Sequence, residues 1–353
     1  MKKVAGLFGI GDIHGMLKEM IINLEDQGVI DDNADWAADE GTLVLTGDLT
    51  DRGPEGYEVV KKVYDLKEQA EKQGGKIVVT TGNHDVGFLN CAVYLCRRPE
   101  LKKMFENALL KTEVHDRKAA YTTHSSDPAK YRETKNIKIG EALNICMSYP
   151  NTEVPLGIEE ADMPDEGREI HYFKDQLTDM LTNGMNLEDL LRVCESAELM
   201  TWAVSWPAMY AQDGVLFQHC DSTRVYKYLE REGQTFDGSP MEKANYATTV
   251  TMLSPSIAPG KKLWDVMTSG RYWEDDATRV IPGHLNYFAP GATKVAHGHT
   301  RLFGEFQPSE YANNMAVNLD VGLAYAPHHT GKTGRMVNLT EHAIAHRAKK
   351  SRA

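Results

Sequence analysis

Three stretches decide how this chain reads: VAGLFGIGDIHG from Val4 to Gly15, TLVLTGDLTDRG from Thr42 to Gly53, and KIVVTTGNHD from Lys76 to Asp85. Each is an apolar run of strand length that ends in a polar turn carrying glycine. Between the first two, Leu17, Met20, Ile21 and Leu24 recur at helical spacing and Gly28 closes the run. Between the second and third, Pro54 occupies a first-turn position. Tyr57, Val60, Val63 and Tyr64 supply an apolar face, and Gly74-Gly75 ends it. Strand, helix, strand, helix, strand predicts a doubly wound start with adjacent parallel strands. Ligands of open α/β sheets gather at the carboxyl ends of such strands, where the three polar turns fall.

Outward from this block the texture changes. From residue 91 to 209 helix-forming, Met-rich and charged stretches dominate, broken by the Pro- and Gly-containing segment Tyr149 to Arg168. We expect a mostly helical insertion there. Strand signals return at Gly214–Gln218, Thr293–Ala296, Ala316–Leu319 and Arg335–Leu339, so the expected core is residues 1–90 and 210–340. Residues 341–353 form a basic tail, expected to be a solvated end. Trp202, Trp206, Met209 and Tyr210 lie at helical spacing and are read as core packing.

Composition bounds the partners. The chain has 353 residues, 41% of them hydrophobic, and 51 acidic against 39 basic side chains give a net charge of -12. That length can bury a core without structural metals, so a metal here is expected to be catalytic. An acidic surface disfavours extended nucleic acid and anionic membranes but not a small anion held by local cations. Five cysteines without C-x-x-C spacing suggest neither a disulfide framework nor a zinc ribbon, and predict a reducing cytoplasm. Lys2-Lys3 and the short apolar run after them lack the features of a signal peptide, and no segment is long enough to span a bilayer.

The turns carry the chemistry. Asp12 and His14, two apart at a strand end, point to one face and can reach one metal, although such a pair also serves as a surface turn or cap. Asp48 ends the second strand and Asn83-His84 the third. Two carboxylates, an amide and two imidazoles then converge on one crevice, the ligand mix of a hard-to-borderline divalent pair.

GDIHG, GDLTDRG and GNHD resemble the three signature turns of the phosphoprotein phosphatase branch of the calcineurin-like metallophosphoesterases. The Asp51-Arg52-Gly53 extension is the discriminating feature. FQHCD at Phe217–Asp221 and AHGHT at Ala296–Thr300 resemble that family's two later histidine motifs, and residues 91 to 209 are unmatched. The resemblance implies an αββα sandwich, two mixed sheets flanked by helices, with a helical cap. It implies two divalent metals, manganese first with iron or zinc as alternatives: Asp12 and His14 on one, Asp48 bridging, and Asn83, His219 and His299 on the other. It further implies direct attack on phosphorus by a metal-bridging hydroxide, His84 oriented by Asp51 to protonate the leaving oxygen, and Arg52 on the phosphate. Arg271 is chosen as the second phosphate arginine over Arg224 and Arg279. His297 is a further candidate ligand, because His-x-His is a ligand spacing in the wider superfamily; the other reading is a strand-end histidine that hydrogen-bonds near the metals.

The expected activity is hydrolysis of phosphate monoesters, phosphoproteins first. Alternatives on the same metals are a nucleotide or RNA-end phosphatase, a cyclic phosphodiesterase and a dinucleoside polyphosphate hydrolase; a non-catalytic metal-binding module is a different class. Oligomeric state is left open. The chain departs from the family in Asp85, where the pattern has Glu, and in Cys220-Asp221, where it has Gly-Gly. Three false leads are set aside. Cys220 and Arg224 have only three residues between them, too few for a cysteine-phosphatase loop. APHHTGKT lacks the first glycine of a P-loop, and the acidic run at Asp31 has Trp36 where a calcium loop needs glycine. Tyr272 and Trp273 are read equally as pocket lining or packing.

Overall fold

Strands β1 (Leu7–Ile10), β2 (Thr42–Leu45) and β3 (Lys76–Val79) pair in parallel in the order β3-β2-β1, and β9 (Val337–Asn338) closes the other side of β1 antiparallel. The structure, a computed structural model, describes residues 6–111, 139–149, 165–269, 276–300, 308–324 and 336–343. Helices α1 (Leu17–Asp26) and α2 (Gly56–Lys72) make the two crossovers. A second sheet runs β4 (Met209–Gln212), β5 (Val215–Gln218), β6 (Lys294–His297), β8 (Ala316–Asn318), β7 (Ser309–Tyr311), with β5, β6 and β8 parallel and antiparallel strands at both edges.

Period-two alternation builds the layers. Leu7, Val44, Val78 and Leu339 of the first sheet meet Val215, Phe217, Ala296, Val317 and Leu319 of the second in a buried cluster of their own. The intervening residues, Phe8, Ile10, Leu43, Leu45, Ile77 and Val79, join the larger cluster formed with the helices. The result is the expected αββα sandwich of two mixed sheets flanked by helices. Both faces of the sheets are covered, which is why these strands read as continuous apolar runs.

Between β3 and β4 lie α3 (Asn83–Cys96), α4 (Pro99–Leu110), α5 (Ile139–Ser148), α6 (Asp165–Thr182), α7 (Leu187–Glu195) and α8 (Ala197–Ala203). Helix α3 starts at the third motif and runs through residue 90, and every residue from Asn83 to Leu95 is buried. A helix covered all round sits at the centre of its neighbours. A Cβ on Gly87 would lie 2.2 Å from Met180 Sδ of α6 and 2.9 Å from the Trp264 ring. Trp264 belongs to α11 (Ala258–Thr268), which among the described residues lies between β5 and β6 with α9 (Thr223–Glu232), α10 (Pro240–Leu253) and α12 (Ala277–Phe288). Glycine at position 87 therefore lets α6 and α11 approach α3 closely and brings their ends to the crevice where the three polar turns meet.

The chain corrects one local expectation. Met209 and Tyr210 lie in the edge strand β4, outside the helix that holds Trp202, although Met209 and Trp206 are buried as expected. Strand β7, Ser-Glu-Tyr at an edge, gave no apolar signal to read.

Candidate metal centre

The carboxyl ends of β1, β2 and β3 bring Asp12, His14, Asp48, Asn83 and His84 together, and the ends of β5 and β6 deliver His219 and His299 to the same crevice. Asp12, His14, Asp48, Asn83, His84 and His219 are all at most 3% exposed. His14 Nε2 lies 3.7 Å from Asp48 Oδ2 and 3.9 Å from Asp12 Oδ2. His219 Nε2 lies 3.4 Å from Asp48 Oδ1, 3.0 Å from Asn83 Oδ1 and 3.1 Å from His299 Nδ1. Asp48 is common to two groups with metal-ligand spacing, one with His14 and His84, the other with Asp12 and His219.

The backbone fixes which ring atoms face inward. His14 Nδ1 is 2.9 Å from the Thr50 carbonyl and His219 Nδ1 is 2.6 Å from the Thr46 carbonyl. A carbonyl only accepts, so Nδ1 carries the proton in both rings and Nε2 presents a lone pair to the crevice. His14 Nε2 is buried with no hydrogen-bond partner, and His219 Nε2 faces the Asn83 amide oxygen, itself an acceptor. Two inward imidazole lone pairs beside the Asp12 and Asp48 carboxylates fit divalent cations, since imidazole, carboxylate and amide oxygen are the donors such cations accept.

Electrostatics point the same way. Burial, then Asp320 and Asp48, hold the Asp12 carboxyl well above its usual pKa. Burial, then Asp85, does the same to Asp48. Burial, then the Arg52 guanidinium, holds His14 well below the usual histidine value. The crevice disfavours a full set of charges on its own and accommodates them with cations present.

The turns are held in unusual backbone. His14 (φ 49°), Asp48 (52°), Asp51 (70°), Arg52 (60°) and His299 (70°) are all left-handed. Such positions cost free energy and persist only where surrounding bonds enforce them. Asp85 is one enforcer: its carboxylate accepts from the backbone N–H groups of Asp48 (2.8 Å), Leu49 (3.0 Å) and Gly82 (3.0 Å). The shorter side chain at this position thus ties the second turn to the third, with its own pKa pushed by burial to about 6.

Beside the ligand cluster, His84 Nδ1 is 2.7 Å from Asp51 Oδ2, and an Arg52 guanidinium nitrogen is 3.1 Å from His84 Nε2. Helix α11 packs Trp264 edge-on to the His84 ring, centroids 5.3 Å apart. A cavity of about 360 Å³ opens here, lined by Arg52, Asn83, His84, Asp179, Asn183, Trp264, Thr268 and His299.

His297 is not part of the cluster. Its ring nitrogens lie 2.9 Å from the Gly298 carbonyl and 2.7 Å from the Tyr311 hydroxyl. Arg271, with Tyr272 and Trp273, lies outside the described residues. Arg224 is exposed on the first turn of α9, and Arg279 lines a separate groove between α9 and α12. Five residues at or beside the centre were not singled out from sequence: Asp320, just past the end of β8, and Asp179, Asn183, Trp264 and Thr268 around the cavity. Only Asp320 carried a signal, an acid just beyond a strand end like Asp12 and Asp48.

Residues 7–139 match the family model described as calcineurin-like phosphoesterase. Shewanella-like protein phosphatase 2 of Arabidopsis thaliana is 35% identical over 85 residues, 24% of this chain and 22% of that one. A symmetrical bis(5'-nucleosyl)-tetraphosphatase of Buchnera aphidicola is 37% identical over 107 residues, 30% of this chain and 32% of that one. The matches thus span less than a third of the relatives' own length. Among solved structures, a cold-active protein-tyrosine phosphatase of a psychrophilic Shewanella species superposes with a TM-score of 0.53 at 17% identity, over 96% of this chain and 76% of that one. This likeness shows a shared fold.

Proposed function

We propose that this chain is a calcineurin-like metallophosphoesterase of the phosphoprotein phosphatase branch and that it hydrolyses phosphate monoesters with two divalent cations. Asp12, His14, Asp48, Asn83, His219 and His299 would hold them, with Asp48 shared. The observation that carries this reading is the pair of inward lone pairs, His14 Nε2 and His219 Nε2, fixed against Asp12 and Asp48 by two backbone carbonyls. Cations bound there supply Lewis acidity toward the phosphate and lower the pKa of water.

The chain's own groups supply the rest. Arg52 reaches the crevice beside His84, where its planar fork suits two phosphate oxygens. Asp51 holds the His84 ring through Nδ1, which leaves Nε2 as the atom that delivers a proton to the departing oxygen. Burial, then the nearby Arg52 guanidinium, holds the His84 pKa well down. Manganese is the first choice of metal. The five free thiols agree with a reducing cytoplasm, and no helix among the described residues is long and apolar enough to cross a membrane.

Phosphoproteins are the first substrate class. Dinucleoside polyphosphates are the second, supported by the Buchnera relative. The test is a panel of phosphoserine, phosphothreonine and phosphotyrosine peptides and diadenosine tetraphosphate, with p-nitrophenyl phosphate as reference, run with Mn²⁺ on the parent and Asp48→Asn. We expect peptide turnover by the parent and near-complete loss in the variant. Parent-like rates in Asp48→Asn would refute the metal-centred reading, and turnover of the dinucleotide alone would select the second class.

A further inference from the structure

Outside the metal centre, two cysteine side chains pack at the last turn of α3. Cys96, the final residue of that helix, is exposed, and its Sγ lies 3.9 Å from the Cys194 carbonyl oxygen. Cys194, next to last in α7, is half-buried, and its Sγ lies 3.4 Å from the carbonyl of Ala92, one turn before Cys96. Both sulfurs therefore sit against the same helical turn, one open to solvent and the other behind it. The other three cysteines, Cys91, Cys146 and Cys220, are buried.

We propose that Cys96 and Cys194 are a hydroperoxide-reactive thiol pair, in which Cys96 attacks the peroxide and Cys194 resolves the product into a disulfide. In the first step the Cys96 thiolate bonds to one peroxide oxygen, the O–O bond breaks, and the other oxygen leaves as hydroxide or alkoxide and takes a proton from water. Cys96 is then a sulfenic acid. In the second step Cys194 gives its proton to water and its sulfur attacks Cys96 Sγ. The S–S bond forms, the S–O bond breaks, and the oxygen departs as water. Two thiols are oxidised by two electrons, and one hydroperoxide is reduced to an alcohol or water.

The surroundings support this order of events. The hydrogen bond from the Cys194 thiol, followed by Lys102 and Arg97, brings the Cys96 thiol down to about 7, although a helix C-terminus by itself disfavours a thiolate. The same bond, with burial, pushes Cys194 up, so it waits as a thiol. Burial raises Cys91 and pushes Cys146 up to about 12. Reactivity follows thiolate fraction and access, which single out Cys96.

The test uses the full chain, reduced and then exposed to graded hydrogen peroxide, blocked with N-ethylmaleimide, digested and read by mass spectrometry. We expect a Cys96–Cys194 linked peptide that grows with dose and disappears with dithiothreitol. Cys194→Ser should leave a dimedone-trapped sulfenic acid on Cys96, and Cys96→Ser should leave Cys194 reduced. At pH 7 a thiol of pKa 7 carries about fiftyfold more thiolate than one of pKa 9, and lower nucleophilicity returns about eightfold of that. Iodoacetamide should therefore label Cys96 about sixfold faster than an ordinary thiol. Full maleimide labelling of both residues after peroxide, no dimedone adduct in Cys194→Ser, or ordinary alkylation kinetics at Cys96 would each overturn the proposal. None of these readouts depends on phosphate hydrolysis, so the two readings stand or fall separately.

Discussion

Gly298 is the tightest point against the candidate metal centre, and Gly298→Ala tests the centre without replacing a ligand. A Cβ there would lie 2.1 Å from Asp12 Oδ1 and 3.0 Å from Thr46 Oγ1, where ordinary contact begins near 3.4 Å. The backbone of Gly298 is not left-handed, so alanine is conformationally acceptable and the strain falls on Asp12. That carboxylate has little room to yield. It is 2% exposed, and its two oxygens accept the His299 N–H at 2.9 and 3.1 Å. Restoring ordinary contact moves Oδ1 by about 1.3 Å, beyond the roughly 0.5 Å within which a binding constellation keeps its geometry. Disturbing a group that orients a metal ligand costs about 10- to 100-fold in affinity, or about 1.4 to 2.7 kcal/mol. We expect that loss for Mn²⁺ by calorimetric titration, with a parallel fall in p-nitrophenyl phosphate turnover that excess Mn²⁺ partly restores. Gly283→Ala is the control: a Cβ there meets nothing within 4 Å, and the helical position should gain about 0.5 to 1 kcal/mol of stability. Mn²⁺ affinity in Gly298→Ala within twofold of the parent would refute Asp12 as a ligand.

Three further outcomes are expected. His84→Asn should lower kcat by about 10²- to 10⁴-fold while metal content by mass spectrometry stays that of the parent, because the role proposed for His84 is that of a proton donor beside the ligands; lost metal would reassign it. Mn²⁺ affinity should rise with pH, since burial and neighbouring carboxylates raise the pKa values of Asp12 and Asp48 and the cation must displace those protons. Affinity constant between pH 6 and 8, with no proton release in paired calorimetry buffers, would contradict this. His284, buried against Gln218, has its pKa lowered by burial and then Lys227 to about 3. A lowered histidine stabilises the fold above its unfolded value of 6.5 and loses that contribution as pH falls toward 3. The loss is about 2 kcal/mol between pH 6.5 and 5, and denaturant titrations of His284→Gln should show acid destabilisation smaller by that amount.

The metal-side turns were legible because each follows a strand that the apolar pattern marks clearly, and because left-handed turns at strand ends favour Gly, Asp and Asn, which the motifs contain. The conformations themselves were not legible: nothing in the letters says that His14 and Arg52 are left-handed, since that depends on bonds such as Gly53 N–H to the His14 carbonyl at 2.8 Å. Helices α9 to α12 were missed between two correctly read strands, and α10 shows why. Its buried residues Ala244, Ala247, Thr248 and Met252 include three that carry little hydrophobic signal, so the helix has no clear apolar stripe. Met209 and Tyr210 failed for the opposite reason: their spacing from Trp206 fits a helix, and only pairing with Phe217 and Gln218 makes them a strand. The cavity residues Asp179 and Trp264 lie 85 residues apart in sequence, on helices that meet where Gly87 lets both approach α3.

The acidity of the chain has a local counterpart in the crevice. Asp12, Asp48, Asp51, Asp85 and Asp320 are all at most 7% exposed. Repulsion among them adds to burial in raising Asp12, Asp48 and Asp51. Buried carboxylates without compensating charge destabilise a fold, and Arg52 is the cation that bears on Asp12, Asp48 and Asp51 together. One guanidinium cannot neutralise them. Two divalent cations can, and they would turn a site that opposes folding into one that stabilises it. The same step inverts the crevice's affinity. Without cations its carboxylates repel a phosphate, whereas with them the phosphate meets positive charge and Arg52. The net charge of -12 therefore describes the surface, and binding of the proposed anionic substrate would depend on cations gathered by the buried acids.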